Sequence, residues 1–478
     1  MGIYRPELHF TAERGILQAA AGVLRDGSTS DPSDPTGSGD TWHMFHQYAL
    51  APGEPSRWGH AVSDGNPFDW VECNDAIVPA GDETTVRAGA VVASPGGIDL
   101  YFTSATEAGS TIQIAHADDL DGDDEDISEE YSASAAFVRR GDAVSDTGGF
   151  TSFRSPCVVQ GWLSNDDRDR GESGWLMLAV TGPTDAPVVT VLTSEVGADW
   201  TVLGALEFDG DPGFDPAGES VVAPRIFRLR DEVDGQIYDV LLLTLERRGP
   251  DGGNRDETVY VTGKLDGNEF TVVTPAQVID HGHDFSRPRT TTYTNGTRER
   301  QNRYDRAYLY GSMRRSGRNA DLTTEKNWEA AGWAGALTLP RRVTLQHGHL
   351  YQTPAPGLPD AVEESRRAKM WTGICEIPVG SSVVAEILDG DGEPAAIVTH
   401  SGDTIALDRH DGTPAECGLH DEDEDNITII VDGSTIEVFA GGGAAVLSSR
   451  FWPEGGCSGI RVRSTGDAEI FSEWRRGH

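Results

Sequence analysis

Short apolar or alternating runs, each closed off by glycine, proline, aspartate or asparagine, recur along almost the whole chain and leave room for little but β structure. Ile98-Asp99-Leu100-Tyr101-Phe102, Trp175 to Val180, Val188 to Leu192, Ile237 to Leu245 and Thr258 to Val261 are examples. Such runs are too short for helices, and side chains alternating with period two suit half-buried strands. The 57 glycines and 25 prolines supply turns between them. A chain of 478 residues exceeds one ordinary domain. Roughly twenty strands before Arg341 fit five four-stranded blades of a β-propeller, which leaves few exposed edges. The proline-rich stretch Thr353 to Pro359, then a short helix over Glu363 to Met370, reads as a connector. Alternation then resumes, and Asp432-Gly433 marks a hairpin in a β-sandwich. The expected all-β organisation is a propeller over 1–343, a linker over 344–368 and a sandwich over 369–478.

The formal charge is −40, with three lysines, Lys264, Lys326 and Lys369, in the whole chain. Acid runs sit between strands at Asp118 to Asp126 and at Asp421 to Asp425, and Gly27 to Asp40 is a polar loop. A salt-rich cytoplasm favours such a surface, because high ionic strength screens self-repulsion. A GC-rich genome is the competing source, and the size of the acid excess favours the halophile. Nucleic acid and anionic membranes are poor partners for this charge. The start, Met1 to Pro6, has neither the basic nor the apolar region of a secretion signal, and no run is long enough to span a bilayer. A cytoplasmic location is expected. The five cysteines, Cys73, Cys157, Cys375, Cys417 and Cys457, are odd in number and widely spread, which suits free thiols.

Several segments together suggest a family. Tyr4-Arg5-Pro6 with His9-Phe10, Trp42 to Tyr48, and Trp58 to Ser63 with Trp70 resemble the opening blades of glycoside hydrolase family 32. Asp280 to Phe285 is similar to its Gly-His-Asp-Phe segment, and Gly332 to Arg341 to the end of its propeller. Asp432 to Phe439 with Ser448-Ser449-Arg450 resembles its C-terminal signature. The resemblance implies a five-bladed propeller, a β-sandwich and relatives that cleave sucrose, inulin or levan.

It also implies three carboxylates that are missing. Retaining glycosidases use a nucleophile and an acid/base about 5–5.5 Å apart. By the resemblance, Ala19 of Ile16-Leu17-Gln18-Ala19-Ala20-Ala21-Gly22 occupies the nucleophile position. Ser155 of Arg154-Ser155-Pro156 replaces the transition-state-stabilising aspartate, and Val222 of Val222-Ala223-Pro224 replaces the acid/base glutamate. A methyl or isopropyl group can neither attack carbon nor pass a proton, and general acid/base help alone contributes about 10²–10⁴-fold. Glu13, Asp26, Glu72 and Glu219 are nearby acids that could stand in.

Substrate contacts are thinned in the same way. Ile16 and Gln18 stand for an aromatic and an asparagine, Ser286-Arg287 for Tyr-Ala, and Arg87-Ala88-Gly89-Ala90 for Ser-Gly-Ser-Ala. Gln18, Gln47, Trp58 and Arg154 remain as candidate sugar contacts, with His60 beside them. Against that, Trp58 and His60 can equally pack between blades and Arg154 can bind backbone carbonyls. Arg87, Arg225 and Arg287 would favour an anionic ligand, or pair with the many acids. The triplets His281-Gly282-His283 and His347-Gly348-His349 are only two-ligand fragments, so no metal and no cofactor are expected.

The leading expectation is a catalytically silent homologue that binds a fructoside or partners an active relative, as a homo- or hetero-oligomer. A glycosidase with a rearranged mechanism and a subunit without a ligand are the alternatives.

Overall fold

The computed structural model describes residues 2–27, 39–120, 133–162, 172–248, 254–314, 321–419 and 425–477. Most of the Gly27–Asp40 loop and of both acid runs lies outside them.

Five antiparallel blades form in chain order. The first comprises Gly15–Asp26, Thr41–Ala49, Arg57–Asp64 and Val71–Glu72. The second comprises Thr85–Ser94, Gly97–Thr106, Gly109–Ala117 and Val138–Val144. The third comprises Arg154–Trp162, Glu172–Thr181, Val188–Ser194 and Thr201–Ala205. Ser220–Arg230, Ile237–Arg248, Asn254–Asp266 and Glu269–Val278 make the fourth, and Ser286–Tyr293, Ala307–Met313, Arg341–Gln346 and His349–Pro354 the fifth. Each innermost strand touches the next, and Ser286–Tyr293 returns to pair in parallel with Gly15–Asp26, Val23 opposite Thr291. Trp333–Ala334 also pairs with the start of the first strand. The first strand therefore closes the ring. Apolar side chains such as Leu178, Leu241, Val261 and Phe270 fill the spaces between blades.

The fifth blade's outer hairpin takes up part of the segment expected as linker. Its turn is His347-Gly348, both at positive φ (52° and 77°), a pairing that lets two residues reverse a twisted ribbon. The second histidine triplet is thus a hairpin turn. The connector helix runs over Leu358–Glu364 rather than Glu363 to Met370. Pro359 suits its first turn, while Lys369 and Met370 are drawn into a strand against Ile430 and Val431.

Two five-stranded sheets form the sandwich. One orders Ala445–Arg450, Thr435–Ala440, Ile427–Asp432, Lys369–Glu376 and Glu469–Arg476; Ser382–Leu388 lies inside the other. Trp371, Ile387, Val398, Leu407, Ile429 and Val438 fill the space between them. The expected hairpin closes with Asp432 opposite Thr435 and Gly433 at φ 59°.

A buried polar network joins the two parts. His9 Nδ1 lies 3.0 Å from Asp432 and its Nε2 3.1 Å from Glu437. Burial opposes charge on His9, but the two carboxylates outweigh it and raise its pKa. Arg341 lies 2.7 Å from Glu437 and 2.8 Å from Asp280, all three fully buried. Asp432 also accepts the backbone N–H groups of Glu7, Leu8 and His9. The Ser448 N–H donates to Asp280, and the Arg450 N–H to Asp284. His283 meets Ser449, and a side chain on Gly282 would strike the Ser448 backbone. The first histidine triplet belongs to this junction.

Candidate functional site

Every innermost strand carries an irregularity near its N-terminal end. Register shifts fall between Leu17 and Gly22, between Arg87 and Ala90, opposite Arg154–Cys157, between Val222 and Arg225, and between Ser286 and Arg289. A bulge re-aims side chains, here at the same level of five blades around one axis. In three of them the residue before a proline is held at positive φ: Ser155 (55°), Ala223 (49°) and Arg287 (52°). A non-glycine residue rests there at a cost of order 1–3 kcal/mol. Ala19, Ser155 and Val222 all lie at these bulges, on blades 1, 3 and 4. Ala19 and Val222 are buried, and Ser155 is half-buried, its N–H donating to Thr103.

The remaining candidates divide. Gln18 and Gln47 are half-buried at this mouth: Gln47 donates to Gln18 Oε1 (2.5 Å) and accepts from the Ala88 N–H (2.7 Å). Ser56 donates to the same Gln18 oxygen at 2.7 Å. Trp58 instead is fully buried, its indole N–H on the Arg87 carbonyl and its ring edge-on to Phe102. His60 is buried too, stacked 4.6 Å from Phe45. Arg154 donates to the carbonyls of Ser152 and Gly182. Trp58 and His60 are thus packed among aromatic neighbours, where burial favours a large ring, and Arg154 is held by backbone carbonyls. Ser56 escaped sequence reasoning. A small hydroxyl before a strand carries no pattern, and its proximity to Gln18 is a product of the fold.

Two of the possible stand-in acids are engaged elsewhere. Glu219 pairs with Arg247 (2.9 Å), and Asp26, at the far end of its strand, accepts from Thr294. Burial pushes Glu72 up to about 7, where it accepts the Glu13 N–H at 2.7 Å. Glu246 and Asp256 face each other on neighbouring strands, and Arg287 reaches both, 3.6 and 3.3 Å away.

Arginines occupy the axis beneath. Cys157, Arg225 and Arg289 each follow the proline of their strand. Arg225 donates to the carbonyls of Ser155 (3.2 Å), Pro156 (3.1 Å), Pro224 (2.6 Å) and Gly89 (3.3 Å), tying three blades together. Arg289 donates to the carbonyls of Arg287 and Pro288. Arg314 donates to the Gln18 carbonyl, and burial pulls it down to about 10, still charged at neutral pH. Further along the axis, past the arginines, lies a cavity of about 210 Å³. Val158, Ile226, Arg228, Thr290, Tyr304 and Arg303 are among its walls.

Comparison with known proteins places the fold. The family model described as "Glycosyl hydrolases family 32 N-terminal domain" matches residues 25–354, and the family's C-terminal model matches 397–475. The chain belongs to glycosyl hydrolase family 32. It is 24% identical to a sucrose-6-phosphate hydrolase of Bacillus subtilis, over 93% of this chain and 90% of that protein. With a raffinose invertase of Escherichia coli the identity is 23%, over 90% and 88%. Among solved structures, a sucrose-6-phosphate hydrolase from Lactobacillus gasseri superposes with a TM-score of 0.72 at 17% identity, covering 99% of this chain and 93% of that one. A Bombyx mori GH32 beta-fructofuranosidase gives 0.70 at 19%, covering 97% and 94%. The family assignment carries the propeller and the sandwich with it. Among the described residues no helix is long and apolar enough to cross a membrane.

Proposed function

We propose that this family member no longer hydrolyses glycosides by the retaining route and instead holds a fructoside, alone or beside an active relative. One observation carries the reading: the bulges of blades 1, 3 and 4 present Ala19, Ser155 and Val222, none of which ionises. Without a nucleophile there is no covalent intermediate, and without an acid the leaving oxygen departs unprotonated. Gln18, Gln47 and Ser56 form a connected polar floor suited to sugar hydroxyls. Trp58 and Arg154, committed to packing and to carbonyls, are withdrawn from the contact set.

Purified protein should release no fructose from sucrose, inulin or levan above background, while calorimetry with fructose, sucrose and short fructans detects weak binding. Turnover of about 1–10³ per second, the range of ordinary enzymes, overturns the silent reading; absence of heat with every sugar favours a partner-only role. Glu72 gives the rearranged enzyme its one foothold, since a carboxyl near 7 can donate a proton at neutral pH. Any activity found should then disappear in Glu72→Gln.

A further inference from the structure

Two guanidinium groups sit on the propeller axis without a carboxylate between them. Arg225 and Arg289 are almost wholly buried, and among the described residues neither has a carboxylate partner. They donate to neutral backbone carbonyls, and the Cys157 side chain lies against Arg225. Each Nε–H is also buried with no acceptor, and on the same strand as Arg289 the Ser286 hydroxyl is buried and unpartnered. They occupy matching positions, each just after the bulge proline, on adjacent innermost strands that touch. Burial lowers both pKa values, and the field of Arg225 lowers that of Arg289 further, so the two charges feel one another.

Arginine does not deprotonate in proteins, and a buried charge that lacks a partner costs several kcal/mol. Nearby Arg287 spends its charge on Glu246 and Asp256, leaving these two unbalanced. The chain as a whole has acid to spare, so the shortage is local. We infer that Arg225 and Arg289 hold a small inorganic anion, chloride in size, on the propeller axis. The cavity beyond is lined by Val158, Ile226 and Thr290, the residues next along the same strands, and gives such an ion a way in. The inference rests on buried charge and is independent of any sugar binding at the mouth.

Crystals of the full chain soaked in sodium bromide and measured at the bromine absorption edge test it. An anomalous peak touching both guanidinium groups is expected. In solution, exchanging chloride for gluconate at constant ionic strength and constant potassium should lower the unfolding midpoint by several degrees. Arg289→Gln should remove that dependence; if it does not fold, the wild-type measurements decide. A map without bromide there overturns the inference, as does a midpoint indifferent to anion identity, which would mark an adventitious ion only. A Cys157 thiolate would be an internal counter-charge and overturns it too. It would appear as ultraviolet thiolate absorbance at neutral pH that is lost in Cys157→Ser.

Discussion

At the junction of propeller and sandwich, His9, Asp280, Arg341, Asp432 and Glu437 interlock, and every charge meets an opposite one. At the propeller mouth the backbone is equally specialised, with five bulges and three residues at positive φ, and on the proposed reading the uncharged Ala19, Ser155 and Val222 stand at the positions of carboxylates. A buried ion network cannot be dismantled one residue at a time, because each removal strands a charge. A carboxylate that serves only chemistry leaves no such orphan when it goes. The junction is locked by its own electrostatics; the mouth is not.

The sharpest test breaks the junction. Glu437→Gln leaves Arg341 with one carboxylate and His9 with one, and should cost about 3–5 kcal/mol. Denaturant unfolding should show this, with propeller and sandwich melting separately. A loss below about 1 kcal/mol would erase the contrast. The reverse experiment puts charge back at the mouth. Val222→Glu buries a carboxyl with no designed partner and should cost about 1–3 kcal/mol, with no gain in fructose release. Adding Ala19→Asp and Ser155→Asp should still recover little, since on the proposed reading Ile16, Gln18, Arg87 and Ser286 depart from the family pattern as well, and misplaced groups lose most of their rate.

What could be read in the sequence follows the range of the interactions involved. Strand alternation and Gly or Pro punctuation are local, so blades and sandwich were legible, and Asp432-Gly433 marked its hairpin. The connector helix was misplaced because Lys369 and Met370 are claimed by strand partners about sixty residues away. The segments that gave the family away are largely junction, as Asp280 to Phe285 and Ser448 to Arg450 show, but nothing local tells Asp432 that its partner is His9. Trp58 looked the same as platform or as filler until its neighbours were known. Arg225 and Arg287 stood out as unusual. Arg289 did not, although the repeated Ser-Pro-Cys, Ala-Pro-Arg and Arg-Pro-Arg at 155–157, 223–225 and 287–289 was the signal that aligns them.

Smaller effects extend the comparison to solvent conditions. Glu72 lies on the outermost strand of blade 1 with its pKa raised from 4.5 to about 7 by burial. Its contribution is fully present below 4.5 and is lost as pH rises through about 7, because the unfolded chain gives up that proton first. The melting midpoint should therefore decline across that window, and Glu72→Gln should flatten the decline; an unchanged slope would remove Glu72 from the account. Salt should act most gently. With a charge of −40, the midpoint in about 2 M KCl should exceed that in about 50 mM as repulsion is screened. An equal or lower value would count against a halophilic origin.

Closure by the first strand also sets an order of events during synthesis. Gly15–Asp26 emerges from the ribosome before any of its non-neighbouring partners, and waits for Thr291 and then Trp333. His9 waits longer still, for Asp432 and then Glu437, 423 and 428 residues later. At about 5–20 residues per second that interval is some tens of seconds. Until Ser286–Tyr293 appears, the opening strand has one edge without its mate, while later blades can pair internally as they emerge. The opening strand is made long before its ring partner, so the nascent chain is vulnerable to mispairing there.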